Sequence, residues 1–415
     1  MLSSKLLPLF LVAAAAPVLA QQGAAPVPSE TGPAPVAAPV AKAAPAAPLP
    51  APIKADWKKR DAEALLSFIE DIDSEGLDPA DYSAARLRAA MQAGDDELDT
   101  VATATFLKVA SDLMFGHVRG DDRIDWHIVD DSWNVYDQQA LLDRALSGGS
   151  MADALHSLLP THPQYAQLKT QLAKTSDAAM RAKIRTNLDR WRWLPRDLGQ
   201  KYVIVNVPAY TVSLVEGGEV LSRRRAVSGA IKTPTPSLNA VISGAIFNPW
   251  WEVPSSIAGE VRGKKGYVSV KTAGGGVRWR QPPGPSNALG KMKLVMPNPH
   301  AIYLHDTNAK GLFDRQMRAF SHGCIRTEDA VGFAATLLDG SEWDRAKIDQ
   351  QLKSGKTVQA NLAAPIPVYI VYFTAAATDK DGVVTYSDLY KRDAKVQVAL
   401  NDRTPGAGNT ALASK

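Results

Sequence analysis

Apolar positions along the first folded stretch recur every three or four residues. In ALLSFIEDI, Leu65, Leu66, Phe68, Ile69 and Ile72 take those spacings. ELDTVATATFLKVASDLMFG repeats them with Leu98, Val101, Phe106, Val109 and Leu113. A helix turns once in about 3.6 residues, so each series forms one apolar stripe and predicts an amphipathic helix. SEGLDP and SGGS separate the helices as turn signals. After TNLDRWRWLPRDLG the period drops to two: Tyr202, Ile204 and Asn206 alternate with Val203, Val205 and Val207, and Glu216-Gly217-Gly218 supplies a hairpin turn. AVISGAIFN, KLVMPN, AIYLHD and IPVYIVYFTAAA are further strand-like runs. EDAVGFAATLLD is a helix among them, with Thr327 as predicted N-cap and Gly340 just past its end. The pattern predicts an α+β chain: an all-α scaffold domain over 54–198, then a sheet-rich mixed domain over 199–398.

The ends have a different texture. Residues 1–20 carry Lys5, the apolar run LLPLFLVAAAAPV and small residues up to Ala20, which reads as a signal peptide cleaved before Gln21. Export to the periplasm is expected, with membrane attachment only if that segment is retained; no cysteine lies there to carry a lipid. Residues 21–53 are almost all Ala, Pro, Val and Gly and read as an extended linker. Residues 399–415 read as a disordered tail.

Charge divides the folded part. Residues 55–200 hold 17 Lys and Arg against 25 Asp and Glu, a net of −8; residues 201–340 hold 17 against 9, a net of +8. In an exported protein such a basic half suits anionic wall peptides, or contact with its own acidic half, better than nucleic acid; an unevenly charged solvated surface is the plain alternative.

The chain has one cysteine, Cys324. It cannot form an intramolecular disulfide, and a lone thiol in an oxidising compartment points either to reactivity or to a small buried hydrophobe. Its surroundings favour reactivity. AIYLHDTNAKGLFDRQMRAFSHGCIRTEDA gathers His305, Ser321, His322, Gly323, Cys324 and Arg326. Only a thiolate attacks, and an ordinary cysteine is a few per cent thiolate at neutral pH, so a nearby imidazole is needed as base. His305 ends an apolar strand on the face of Tyr303 and Ala301, and the following residues can loop Cys324 back beside it. His322 is too near in sequence to be the base. Gly323 permits close backbone approach, and the Gly323 and Cys324 N–H groups are candidate oxyanion donors. Arg326 can hold a substrate carboxylate. Zinc bound by His300, His305, His322 and Cys324 is the rival reading. His117, His127, His156 and His162 show no ligand-like spacing, and DKDG at 379–382 reads as a turn.

The histidine followed by Asp-Thr, with S-H-G-C-I-R some way downstream, resembles the signature of the YkuD-type L,D-transpeptidases. FNPWWEVPSSIA, QPPGPSNALGKMKLVMPNPHAIYLHD, RWRWLPRDLG and IPVYIVYFTA resemble the YcbB-type subfamily, here without its peptidoglycan-binding module. The resemblance implies a mixed β-sandwich catalytic domain with a short cap insertion at about 252–288. It implies attack by Cys324 on a tetrapeptide stem, with His305 as base, release of D-Ala, and transfer to a diaminopimelate amine as a 3→3 cross-link. Water or a lipoprotein lysine are alternative acceptors, and a silent wall-binding module is the non-enzymatic alternative. Ser321, His322, Gly323 and Arg326 fall where that family lines its pocket, and Asp306 is not expected to act as a third triad member. Trp250, Trp251 and Tyr303 are candidate groove residues, with core packing the equal reading for the tryptophans. No metal or cofactor is implied. The implied partners are peptidoglycan stem peptides and envelope or cell-wall synthesis proteins. Arg262, Lys264, Lys265 and Lys271 in the cap are candidate contacts for anionic stems.

Overall fold

The structure is a computed structural model that describes residues 53, 55–130, 137–272, 274–378, 380 and 382–402. The expected leader, nearly all of the linker and the tail beyond 402 lie outside the described residues. The first half is helical: α1 (Lys59–Glu70), α2 (Ala84–Ala93), α3 (Asp95–Phe115), α4 (Gln138–Leu146), α5 (Met151–His156), α6 (Pro163–Lys174) and α7 (Ala178–Arg192). The predicted stripes face inward. Leu65 and Ile69 of α1 pack with Val101, Phe106, Val109 and Leu113 of α3 and with Leu141, Leu142 and Leu155. Helices α6 and α7 belong to a different core. Leu168, Leu172, Ile184, Leu188 and Trp191 pack against Tyr202, Val215, Tyr369, Val371 and Phe373 of the sheet. Helical texture therefore runs to Arg192, while the burial that holds the last two helices is on the sheet.

The strands are β1 (Trp126–His127), β2 (Lys201–Asn206), β3 (Thr211–Glu216), β4 (Glu219–Gly229), β5 (Ser237–Phe247), β6 (Trp251–Val253), β7 (Val268–Lys271), β8 (Val277–Gln281), β9 (Met292–Val295), β10 (Leu304–His305), β11 (Ala319–Ser321), β12 (Ile325–Thr327), β13 (Val358–Val371), β14 (Ala375–Thr378) and β15 (Gly382–Thr385). The main sheet runs β1-β5-β13-β2-β3-β4-β12-β10-β9, and β9 also pairs with β5. The two layers expected of a sandwich are thus parts of one sheet that curls until its ends join. Closure leaves few open edges and encloses a core that includes Val203, Val205, Leu214, Phe247, Leu294, Leu304 and Ile325. Gly217 and Gly218, at φ of 60° and 86°, make the predicted two-residue turn between Glu216 and Glu219.

Residues 251–281 form a separate small sheet, β6-β8-β7, with the short helix α8 (Ala258–Val261). Its Arg262, Lys264, Lys265 and Lys271 are exposed. Helices α9 (Ala330–Leu337), α10 (Arg345–Ser354) and α11 (Asp393–Ala399) complete the fold. The N-cap of α9 is Asp329, whose carboxylate accepts from Gly332 N, and not Thr327. Thr327 is still within β12, because its pairing with Ala226 of β4 holds it extended. Ala375–Thr378 and Gly382–Thr385 pair antiparallel, and residues 379 and 381 of the DKDG segment lie outside the described residues. Among the described residues no helix is long and apolar enough to cross a membrane.

Candidate active site

Strand register brings the chemistry together. β10 lies between β9 and β12, with His305 opposite Lys293 on one side and opposite Arg326 on the other. Ile246 pairs with Lys293 and Val227 with Arg326, so one cross-strand row reads Ile246, Lys293, His305, Arg326, Val227. Directly opposed residues share a face. Met292, Leu294, Leu304 and Ile325, one position away, fall in the enclosed core, so the row faces outward from it. Ile325 N donates to Tyr303 O at 3.0 Å, which sets Cys324 opposite Tyr303. Arg326 and His305 therefore stand side by side on one face, and Cys324, one residue before β12, lies beside the segment that leads into His305. Cys324 and His305 are each only 1% exposed.

Cys324 sits in a tight turn held by the Ser321 hydroxyl. Ser321 Oγ donates to Cys324 O at 2.6 Å and accepts from Gly323 N at 3.1 Å. Gly323 has a φ of 118°, a region that disfavours any side chain, and a Cβ there would come within 3.0 Å of Ile302. The Gly323 N–H, one of the two candidate oxyanion donors, is thus engaged inside the turn. Cys324 Sγ donates to Ala301 O at 3.7 Å. Ala301 is itself left-handed, at φ of 52°. Asn298 braces that turn: its carbonyl accepts from His300 N and Ile302 N, and its amide donates to Met296 O and Ile302 O.

His305 differs from an ordinary histidine. Neither ring nitrogen has a hydrogen-bond partner in the structure. Its ring meets that of Tyr303 edge-on, with centroids 5.6 Å apart. Burial, then the Arg326 cation, push its pKa down to about 3; the Asp306 main chain opposes this, and Lys293 and Lys310 add to it. Burial and the neighbouring cations therefore favour the neutral imidazole. Burial lowers Arg326 to about 10, and the adjacent Cys324 acts in the opposite sense, so guanidinium and sulfur lie within electrostatic reach. The Asp306 carboxylate is turned elsewhere, accepting from Lys291 N at 2.8 Å and pairing with Lys310.

The other candidates divide. Ser321 is buried and structural, whereas His322 is exposed. Trp251 is 0% exposed and packs edge-on against Tyr267 in the core, so the packing reading holds for it and not the groove. Trp250 is half-buried with the Arg280 guanidinium 4.0 Å over its ring. The zinc quartet is not assembled, since the His300 ring packs on His127, with centroids 4.3 Å apart. Among the described residues no group of three or more His, Cys, Asp or Glu could hold a metal ion. Lys293 escaped the sequence reading. Its signal was a lysine between Met292 and Leu294 in an alternating strand, which puts a cation on the face opposite the core.

Residues 200–355 match the family model of the L,D-transpeptidase catalytic domain. Residues 53–172 match that of the scaffold domain. The L,D-transpeptidase match spans the whole row described above together with Ser321, Gly323 and Cys324. The chain is 28% identical over 286 residues to a Haemophilus influenzae protein named "Putative L,D-transpeptidase", covering 61% of this chain and 58% of that protein's length. Among solved structures, an Enterococcus faecium L,D-transpeptidase is similar at 14% identity and TM-score 0.21, over 43% of this chain and 52% of that one. L,D-transpeptidase 3 from Mycobacterium tuberculosis is similar at 12% identity and TM-score 0.24, over 41% and 61%.

Proposed function

We propose that this chain is an exported cysteine acyltransferase that cross-links peptidoglycan stem peptides. Cys324 Sγ attacks the carbonyl carbon before the terminal D-Ala of a tetrapeptide stem, and its proton passes to His305. An imidazolium in that buried, cationic setting is unfavourable on its own, so the proton moves on as the bond breaks. The C–N bond cleaves, the departing D-Ala amine takes the proton, and the stem remains as a thioester. A diaminopimelate side-chain amine then attacks the thioester carbon, gives up a proton through His305, and leaves a 3→3 cross-link and a free thiol. Arg326 and Lys293 face the same row and attract the stem's carboxylates.

The observation that carries this reading is the buried site itself: a thiol, an imidazole held toward its neutral form and two cations flanking it, inside the segment matching the L,D-transpeptidase catalytic domain. A carboxylate beside His305 would favour a standing imidazolium and repel the anionic stem. The test is incubation of the purified protein with disaccharide-tetrapeptide, with products read by mass spectrometry. Dimers accompanied by free D-Ala support cross-linking. Tripeptide alone would assign water as acceptor, and no D-Ala release would overturn the enzymatic reading.

A further inference from the structure

The carbonyl groups around Cys324 are held from outside the turn, and two of the contacts trace back to the helical half. Thr235, fully buried in the β4–β5 connection, donates from Oγ1 to Gly323 O at 2.6 Å and accepts from Gly229 N at 2.9 Å. Tyr390 Oη donates to Gly229 O at 2.7 Å and accepts from Thr235 N at 3.2 Å. Arg392 lies over the Tyr372 and Tyr390 rings, at 4.8 and 4.9 Å, donates to Thr235 O at 3.3 Å, and pairs with Asp125. Asp125 begins a short extended segment that joins the sheet edge. Its carbonyl accepts from Ser237 N at 3.0 Å, Trp126 and His127 pair with the start of β5, and Val129 exchanges two 3.0 Å hydrogen bonds with the Asn239 side chain. On the other side of the sulfur, His127 packs on His300, which precedes the strained Ala301 whose carbonyl accepts from Cys324 Sγ.

We propose that the 125–129 segment of the scaffold-domain match is a positioning element for the nucleophile. It braces one wall through Asp125, Arg392 and Thr235 to Gly323 O, and the other through His127 and His300 to Ala301 O. Thr235 is the positioning residue nearest the sulfur. Tyr390 and Arg392, which complete the wall, lie beyond residue 355, where the L,D-transpeptidase catalytic-domain match ends. This inference rests on Cys324 being the nucleophile. A donor to the carbonyl preceding Cys324 fixes where Sγ stands, and a displacement of about 1 Å at a reacting atom costs up to about 100-fold in rate.

The test uses the full chain and four variants: Thr235→Val, which keeps the shape and removes the hydroxyl; Thr235→Ser, which keeps the hydroxyl; Asp125→Ala; and Cys324→Ala. Turnover of disaccharide-tetrapeptide, the pH profile of Cys324 alkylation by iodoacetamide and the thermal melt are measured for each. Thr235→Val is expected to lower kcat by about 10- to 100-fold at nearly constant KM and to displace the alkylation profile, with Thr235→Ser within about 3-fold of the parent. Asp125→Ala is expected to lose about 3- to 10-fold in kcat with the fold intact, because its link to the turn is indirect. If Thr235→Val does not fold, Asp125→Ala against Thr235→Ser decides the matter. Parent-like kcat and alkylation in folded Thr235→Val, or in folded Asp125→Ala, overturns the positioning proposal while an inactive Cys324→Ala leaves the proposed function standing. Parent-like turnover by Cys324→Ala overturns the proposed function itself.

Discussion

His117 is a partly buried imidazole in the helical half and His305 a fully buried one in the sheet-rich half, and their surroundings push them in opposite directions. Burial alone would lower His117, but Asp112, 2.8 Å from Nδ1, outweighs it and raises the pKa. Asp112 also accepts from Tyr82 Oη and pairs with Lys108 and Arg119, so one carboxylate is shared by several cationic partners. At His305 burial is joined by the Arg326 cation, with further lowering from Lys293 and Lys310, and the pKa falls to about 3. His117, beside an acid, has its pKa raised. His305, out of water and beside cations, has its pKa lowered. Residue type is the same in both places, and deeper burial together with the opposite sign of the nearest charge sets His305 apart.

Exchanging roles by mutation would break the contrast. His305→Gln should cut turnover of tetrapeptide by about 100- to 10,000-fold, the usual worth of a general base. His117→Ala should leave turnover within about 2-fold, because it lies in the other core. Equal losses in both would erase the distinction. Arg326→Gln should raise KM about 10-fold or more through the lost charged contact, and should also slow Cys324 alkylation as the thiolate loses its cation. An unchanged KM would remove Arg326 from substrate binding.

Stability sharpens the same contrast. His117→Ala should cost about 1–3 kcal/mol in urea unfolding, because it strips a partner from a buried carboxylate. The two imidazoles should also bias the pH profile oppositely. His117, raised when folded, contributes stability that is present below its ordinary value of 6.5 and is lost as pH rises through its folded value. His305, lowered to about 3, makes the folded state bind fewer protons than the unfolded chain below 6.5, so it costs stability as pH falls through that window. On acidification from about pH 7 to about pH 5, His305→Gln should therefore lose less stability than the parent, and His117→Ala more. Melts that shift in parallel would refute both assignments. The smallest effect is expected from Asp329→Ala, about 1 kcal/mol for a lost N-cap, with Thr327→Ala leaving the α9 terminus unaffected.

What the sequence revealed follows the range of each interaction. The stripes of α1 and α3, the Gly217-Gly218 turn and the window around Cys324 are local patterns, legible over a few residues. The cap on α9 was misplaced by two residues because Thr327 and Asp329 are both good N-caps and only the β12–β4 pairing decides between them. Lys293 needed the register of three strands to become a neighbour of His305. Thr235, Tyr390 and Asp125 are separated by more than a hundred residues from at least one partner each, and no spacing rule connects them. Trp251 illustrates the converse. The Trp250-Trp251 pair reads equally well as groove or core from its motif, and burial puts Trp251 in the core.

Acyl-enzyme trapping reaches the central claim most directly. The full chain would be mixed briefly with disaccharide-tetrapeptide, quenched in acid, digested and mapped by mass spectrometry. The account predicts a stem-peptide adduct, smaller by one D-Ala, on the fragment bearing Cys324, strongly diminished in His305→Gln and absent from Cys324→Ala. Wall-fragment turnover by the Cys324→Ala protein at the parent's rate, or an adduct mapped to any other side chain, would contradict it.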